Sequence, residues 1–312
     1  MSSAVATRHL LRVLDLGEAE FSALLDLAAT MKGEPPQARA RQLLGRTLTC
    51  LFEKPSTRTR LSVTGAAQRL GMLAAFVDPQ ELQVSRGESV ADTVRIISAY
   101  SAALVVRTYS HLRLEEMSEH ASVPVVNALT DDHHPCQALA DLMTLKERFG
   151  ALRGLPVAYV GDGRSNVVHS LMEACALAGS SLTVACPEEH RPDPQVQERA
   201  GAVAGRNGGQ VRVVRAPEEA VAGAACVYTD VWVSMGSEGR EFERIVRLAP
   251  YRVDGRLMAL AAKEAVFMHC LPAHRGLEVT ADVIDGPASA VWDQAANRMP
   301  TAEAVFAWLL GG

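Results

Sequence analysis

Hydrophobic positions along this chain recur in two rhythms that take turns. Short apolar runs bounded by Gly, Pro, Asn or Asp read as buried strands. Longer segments with apolar residues three and four apart read as helices. An opening helix is predicted over His9–Lys32, with Leu14, Leu16, Phe21, Leu24, Leu25 and Leu27 apolar, and a polar stretch with prolines follows from Gly33 to Arg41. Strand and helix then alternate. Thr47–Phe52, Met72–Val77, Ala103–Arg107 and Pro124–Ala128 are predicted strands, and Thr57–Leu70, Ser89–Tyr100, Leu112–Glu119 and His134–Phe149 are predicted helices.

A second alternating set begins after Gly150. Its predicted strands are Leu155–Val160, Ser181–Cys186, Val211–Val214, Cys226–Thr229, Val266–His269 and Ala290–Val291. Its predicted helices are Asn166–Ala178, Pro194–Arg206, Glu218–Ala222 and a terminal Thr301–Leu310. Such alternation implies βαβ units. The expected fold class is α/β, with two doubly wound domains, each a parallel sheet flanked by helices. The domains are drawn at 1–150 and 151–312, the second including the terminal helix. No repeat of fixed short period and no low-complexity linker interrupts them.

Ligands of open parallel sheets collect where strands end and loops splay apart. The first strand exits into Lys54-Pro55-Ser56-Thr57-Arg58-Thr59-Arg60, a tight turn opening a helix. Backbone N–H groups at a helix start carry partial positive charge, and hydroxyls and guanidinium groups add to it. The sum suits a small dianion such as phosphate. Taken alone, the stretch also fits a well-capped surface helix with two solvated arginines. Another strand ends at Arg107, and the next leads through Asn127 and Asp131 to His134-Pro135-Cys136-Gln137. His134 and Gln137 are three apart at a helix start and share a face. Hydroxyls, arginines, a histidine and a glutamine thus recur at successive exits of one sheet.

In the second half, Gly161-Asp162-Gly163-Arg164-Ser165-Asn166 follows a strand and opens a helix, but it lacks the third glycine of a dinucleotide fingerprint. Asp230-Val231-Trp232-Val233-Ser234-Met235-Gly236 follows a second strand, and His269-Cys270-Leu271-Pro272 a third. If that third strand runs through both His269 and Cys270, their side chains point to opposite faces, against a protease-type pair. Cys270 also fits a buried thiol.

Composition narrows the classes. The chain has 312 residues, a net charge of −5 and dispersed basic residues, which disfavours a nucleic-acid partner. No apolar run is long enough for a membrane span, and Met1–His9 carries no signal-like or presequence pattern, so a cytoplasmic location is expected. The six cysteines show no CxxC spacing and read as reduced thiols. No Walker A pattern and no zinc spacing occurs, and neither metal nor cofactor is expected.

Together, Ser56-Thr57-Arg58-Thr59-Arg60, His134-Pro135-Cys136-Gln137, Asp230-Val231-Trp232-Val233-Ser234-Met235-Gly236 and His269-Cys270-Leu271-Pro272 resemble the ornithine branch of the aspartate/ornithine carbamoyltransferase superfamily. The resemblance runs from Arg8 to Arg298. It implies carbamoyl transfer from carbamoyl phosphate to the δ-amine of L-ornithine, giving citrulline and phosphate in arginine metabolism. It implies a carbamoyl-phosphate domain, an ornithine domain, and a C-terminal helix returning to the first. It implies a homotrimer, or a multiple of trimers, with sites near subunit interfaces.

By the same resemblance, Ser56, Thr57, Arg58 and Thr59 would hold phosphate. Arg107 would bridge phosphate and carbonyl oxygen, His134 would donate to that oxygen, and Gln137 would accept from the carbamoyl NH2. Arg298 would return to the same ligand, and Gln83 would reach a neighbouring subunit's site. Asn166, Asp230, Ser234 and Met235 would bind the amino-acid end of ornithine. Cys270 and Leu271 would contact carbamoyl phosphate and line the path of the ornithine amine, with either Cys270 or the leaving phosphate as proton acceptor. The rivals are another acceptor amine, a non-catalytic phosphate-sensing protein on the same scaffold, and a nicotinamide-dependent dehydrogenase resting on Gly161-Asp162-Gly163 alone.

Overall fold

A computed structural model describes residues 7–78, 80, 82, 87–233 and 241–311. Three predicted site residues, Gln83, Ser234 and Met235, lie outside the described residues. The first sheet contains β1 (Thr47–Phe52), β2 (Leu73–Val77), β3 (Ala103–Arg107) and β4 (Val125–Leu129). All pairs are parallel, in the order β2-β1-β3-β4. The helices in this part of the chain are α1 (Glu18–Gly33), α2 (Thr57–Arg69), α3 (Val90–Tyr100), α4 (His111–His120) and α5 (Pro135–Phe149). Every residue of β3 is buried, as expected where helices cover both faces of a parallel sheet. Leu51, Leu104, Val106 and Val125 from the strands pack with Val94 of α3 and Leu114 and Met117 of α4.

The second sheet contains β5 (Pro156–Val160), β6 (Ser181–Ala185), β7 (Gln210–Val214), β8 (Cys226–Thr229) and β9 (Val266–His269). It is also parallel, in the order β7-β6-β5-β8-β9. Helices α6 (Asn166–Ala178), α7 (Pro194–Asn207), α8 (Pro217–Val221), α9 (Glu241–Leu248), α10 (Gly255–Met258), α11 (Ala281–Ile284) and α12 (Val291–Ala296) follow in order. The last helix is α13 (Arg298–Leu310). Two compact units result. One comprises the chain to Leu139 with the segment from Arg298 onward, and the other comprises Ala140–Asn297. The first division thus falls about ten residues ahead of Gly150, and the C-terminal helix belongs with the first unit. In the first unit α13 packs against α1 and α2. Among the described residues, no helix is long and apolar enough to cross a membrane.

Two expectations need correction. The opening helix does not begin at His9. Leu10 instead forms a parallel bridge with Val126 of β4, and the Asp15 carboxylate accepts from the backbone N–H of Leu11 (2.7 Å) and Arg12 (2.8 Å). A 3-10 turn at Val13–Asp15 follows, and α1 starts only at Glu18. Ala290–Val291 is not a strand. Ser289 makes a single bridge to Phe267, Phe267 O accepts from Ala290 N, and Val291 opens α12.

In both sheets the strand order reverses at one point, between β1 and β3 in the first and between β5 and β8 in the second, while every strand stays parallel. A parallel sheet opens a crevice at such a reversal, beyond the carboxyl ends of the two strands. The strand exits at Ser56, Arg107, Asn166 and Asp230 flank these two reversals.

Candidate active site

Ser56 has extended backbone geometry, and its Oγ accepts the Thr59 N–H at 3.2 Å, which caps α2. The Ser56 hydroxyl also donates to Thr59 Oγ1 at 3.0 Å. The cap therefore holds both side chains on the first turn, with Thr57 exposed, Arg58 half-buried and Thr59 buried. At the end of β3 the ladder shifts register. Val106 pairs with Asn127, but Arg107 pairs with Leu129. A bulge of this kind re-aims the side chain that follows it. Arg107 is buried at the mouth of the crevice.

His134 precedes Pro135 at the start of α5, and its carbonyl accepts from Gln137 N (3.0 Å) and Ala138 N (3.3 Å). Arg298, at the first position of α13, donates from Nη1 to Gln137 Oε1 at 2.6 Å and from Nη2 to Thr59 Oγ1 at 3.3 Å. Burial pushes the pKa of His134 well below its ordinary value, and the positive charges of Arg298, Arg107 and Arg58 push it further. The imidazole is therefore neutral at neutral pH. It can donate a hydrogen bond without giving up a proton, among three guanidinium groups suited to a dianion.

A set of charged residues stitches the same loops together. Thr108 Oγ1 donates to Glu53, whose other oxygen takes Arg113 Nη1 at 2.7 Å. Lys54 is buried, pairs with Asp131 and lies 4.1 Å from the Tyr109 ring centre. Backbone bonds from Glu53 N to Arg107 O, Thr108 N to Leu129 O and Asp131 N to Tyr109 O link the exits of β1, β3 and β4. Sequence reasoning missed this clasp. Its signal was the dipeptide Glu53-Lys54, charged residues directly after a buried strand.

In the second unit, Asp230 follows β8 and is buried. Its Oδ2 accepts from Ser165 Oγ at 2.8 Å, and its Oδ1 accepts from the Cys270 thiol at 2.9 Å. Asn166 stands half-buried beside the cap residue Ser165. β9 ends at His269, and Leu271 takes a left-handed φ of 58°. Strand alternation therefore does not govern His269 and Cys270. Their donor atoms and a carboxylate oxygen of Asp230 lie within 4.8 Å of one another, a grouping that sequence spacing did not reveal. His269 Nδ1 accepts from Leu271 N at 2.9 Å, and His269 N donates to Gln294 Oε1 at 2.9 Å. Gln294 Nε2 in turn donates to the buried Asp141 at 2.7 Å. The loop carrying Cys270 and Leu271 is thus fixed from within its own unit.

The glycines after β5 have a packing reason. A Cβ on Gly163 would sit 2.5 Å from His190 O, and Gly161 has φ 141°. Close approach of the chain to itself accounts for this turn.

Fold and site define a bipartite α/β protein whose first unit gathers guanidinium groups and hydroxyls around a neutral histidine and whose second presents a carboxylate beside a thiol. Residues 8–147 match the family described as aspartate/ornithine carbamoyltransferase, carbamoyl-P binding domain, and residues 153–309 match its Asp/Orn binding domain. The chain is 48% identical to an ornithine carbamoyltransferase of Gloeobacter violaceus, covering 100% of this chain and 99% of that one. It is 50% identical to one from Pyrobaculum calidifontis, covering 97% and 98%. The solved ornithine carbamoyltransferase of Pyrococcus furiosus superposes with a TM-score of 0.93 at 45% identity, covering 98% of each chain. The chain belongs to the aspartate/ornithine carbamoyltransferase family.

Proposed function

We propose that the chain transfers the carbamoyl group of carbamoyl phosphate to the δ-amine of L-ornithine, giving citrulline and phosphate. The observation that carries the reading is Arg298 joining Thr59 to Gln137 beside a neutral, buried His134. Ser56, Thr57, Arg58 and Thr59 hold the phosphate. Arg107 spans phosphate and carbonyl oxygen, His134 donates to that oxygen, and Gln137 accepts from the carbamoyl nitrogen.

The neutral amine attacks the carbonyl carbon, and a C–N bond forms as the carbonyl oxygen becomes an oxyanion. The bond from carbon to phosphate oxygen then breaks, and its electron pair leaves with phosphate. Fixed donors aimed at such an oxyanion contribute a factor of about 10² to 10³ each in rate. Asp230 pairs with the α-ammonium of ornithine and, with Asn166, Ser234, Met235 and Leu271, orients the acceptor. The Cys270 proton is engaged by Asp230. We therefore assign Cys270 to holding that carboxylate, and assign the amine's surplus proton to the departing phosphate.

The reading includes a homotrimer, with Gln83 reaching a neighbouring subunit's site. Exposed Leu61 on α2, Leu73 on the edge strand β2, and Ile96 and Tyr100 on α3 support self-association of this unit. It also includes a cytoplasmic location, where the six free cysteines stay reduced.

Purified protein with carbamoyl phosphate and ornithine should form citrulline. Turnover with ornithine should exceed that with aspartate, putrescine or N-acetylornithine by about a hundredfold or more. Absence of citrulline would overturn the reaction, and equal turnover with another amine would overturn the acceptor. Light scattering should give a trimer or a multiple of it.

A further inference from the structure

His134 is presented by a tight turn. Thr130 N donates to His133 O at 2.9 Å, and His133 N donates back to Thr130 Oγ1 at 3.1 Å. Thr130 Oγ1 thus accepts from the backbone of His133 and can also donate its own proton. His133 O, 3.4 Å away, is one acceptor for that proton, but it also takes Thr130 N and, at 3.3 Å, the Asn127 amide. His111 Nδ1 lies closer, at 3.0 Å. His111 opens α4 just after the cap residue Ser110, and its ring lies 4.9 Å from that of His133. Its Nε2 lies 3.8 Å from Glu115, which also pairs with Arg12. Burial and the charge of Arg12 lower the pKa of His111, opposed by Glu115, Asp132 and Asp15, and the net lowering favours the neutral ring. The Glu115 carboxylate beside Nε2 favours the tautomer that carries its proton there and leaves the Nδ1 lone pair to accept.

We propose that His111 is a positioning residue for His134, taking the Thr130 hydroxyl proton at Nδ1 and so locking the turn that sets the carbonyl-polarising imidazole. His111 itself touches no substrate. It acts at the end of the site that binds the carbamoyl group, remote in sequence from the phosphate-binding turn at Ser56–Thr59. The consequence is selective. Without the acceptor, the turn loosens, His134 and Gln137 lose their alignment, and the phosphate grip persists. The inference rests on the carbamoyl-transfer reading, and the two can fail separately.

The test compares His111→Phe, which fills the space without an acceptor, with His111→Asn, whose amide oxygen stands near the Nδ1 position. Calorimetry with carbamoyl phosphate and with inorganic phosphate accompanies citrulline kinetics. His111→Phe should lower kcat about tenfold or more and weaken carbamoyl phosphate by a similar factor, with phosphate affinity within about twofold of wild type. His111→Asn should recover most of both losses. Thr130→Val should reproduce the loss and Thr130→Ser should not, which decides the matter if His111→Phe does not fold. The double variant His111→Phe, Thr130→Val should be no worse than the worse single. Wild-type kcat in a folded His111→Phe, equal losses in the Phe and Asn variants, or additive losses in the double would overturn the proposal. A wild-type protein that binds carbamoyl phosphate no better than phosphate would overturn the parent reading and this inference with it. Wild-type citrulline formation alongside indifferent variants would overturn the inference alone.

Discussion

Arg298 Nη1 donates to Gln137 Oε1 at 2.6 Å across 161 positions of sequence, and both side chains are buried. A charged donor in a buried site makes a hydrogen bond of more than ordinary strength, and removing it costs both Gln137 and Thr59 that contact. Arg298→Met should therefore lower kcat/KM for carbamoyl phosphate by about a hundredfold or more. Arg298→Lys should recover little, because an ammonium cannot reach Gln137 and Thr59 with a planar fork. Steady-state kinetics on folded variants checks both.

Arg58 lies on the first turn of α2, half-buried, with its charge felt at His134. Arg58→Gly should abolish measurable carbamoyl-phosphate binding while circular dichroism stays unchanged. Titration with undiminished affinity would refute the anion site at this turn.

Because the folded pKa of His134 lies below its unfolded value, the unfolded chain binds the extra proton first as pH falls. Stability is complete above about pH 6.5 and declines below it, with a slope from this group approaching about 1.4 kcal/mol per pH unit. His9 and His111 are lowered chiefly by burial and act in the same sense. Denaturant unfolding between pH 5 and 7 should show the decline. His134→Gln should flatten it without abolishing it.

Gly163→Ala brings a methyl group to 2.5 Å from His190 O, a contact of backbone with side chain that a rotamer change cannot relieve. A loss of about 1–3 kcal/mol is expected from denaturant unfolding. KM for ornithine should rise with it, since the same turn leads into Ser165 and Asn166.

Cys270→Ser keeps a donor for Asp230 Oδ1, and Cys270→Ala does not. The serine variant should retain kcat within about tenfold and the alanine variant should raise KM for ornithine, both without moving the pH dependence of kcat. A limb of the wild-type profile that vanishes in the alanine variant would return Cys270 to the proton path.

The parallel strands were legible because each is a short apolar run ending in turn residues, and the strand exits pointed to Thr59, Arg107, His134 and Gln137. Arg298 was not readable that way. Nothing in its local pattern points to Thr59, and only resemblance to a family supplied it. The four short helices from Glu241 to Ala296 escaped for a different reason, since one or two turns are too few to set up a 3.6-residue period. His111 and Thr130 escaped because a histidine at a helix start and a threonine after a strand are common, and only their 3.0 Å meeting gives them meaning. His269 and Cys270 were read with strand alternation that stops one residue too soon.

The first unit is discontinuous along the chain, since residues up to Leu139 are joined by the helix that begins at Arg298. Domains emerging from a ribosome fold in order of synthesis where they can. Here the earliest-made half waits for the latest-made helix, while the inserted half is complete beforehand. A nascent polypeptide stalled ahead of Arg298 would therefore carry all four strands of the first sheet, but neither the helix that packs on α1 and α2 nor the guanidinium that reaches Thr59 and Gln137.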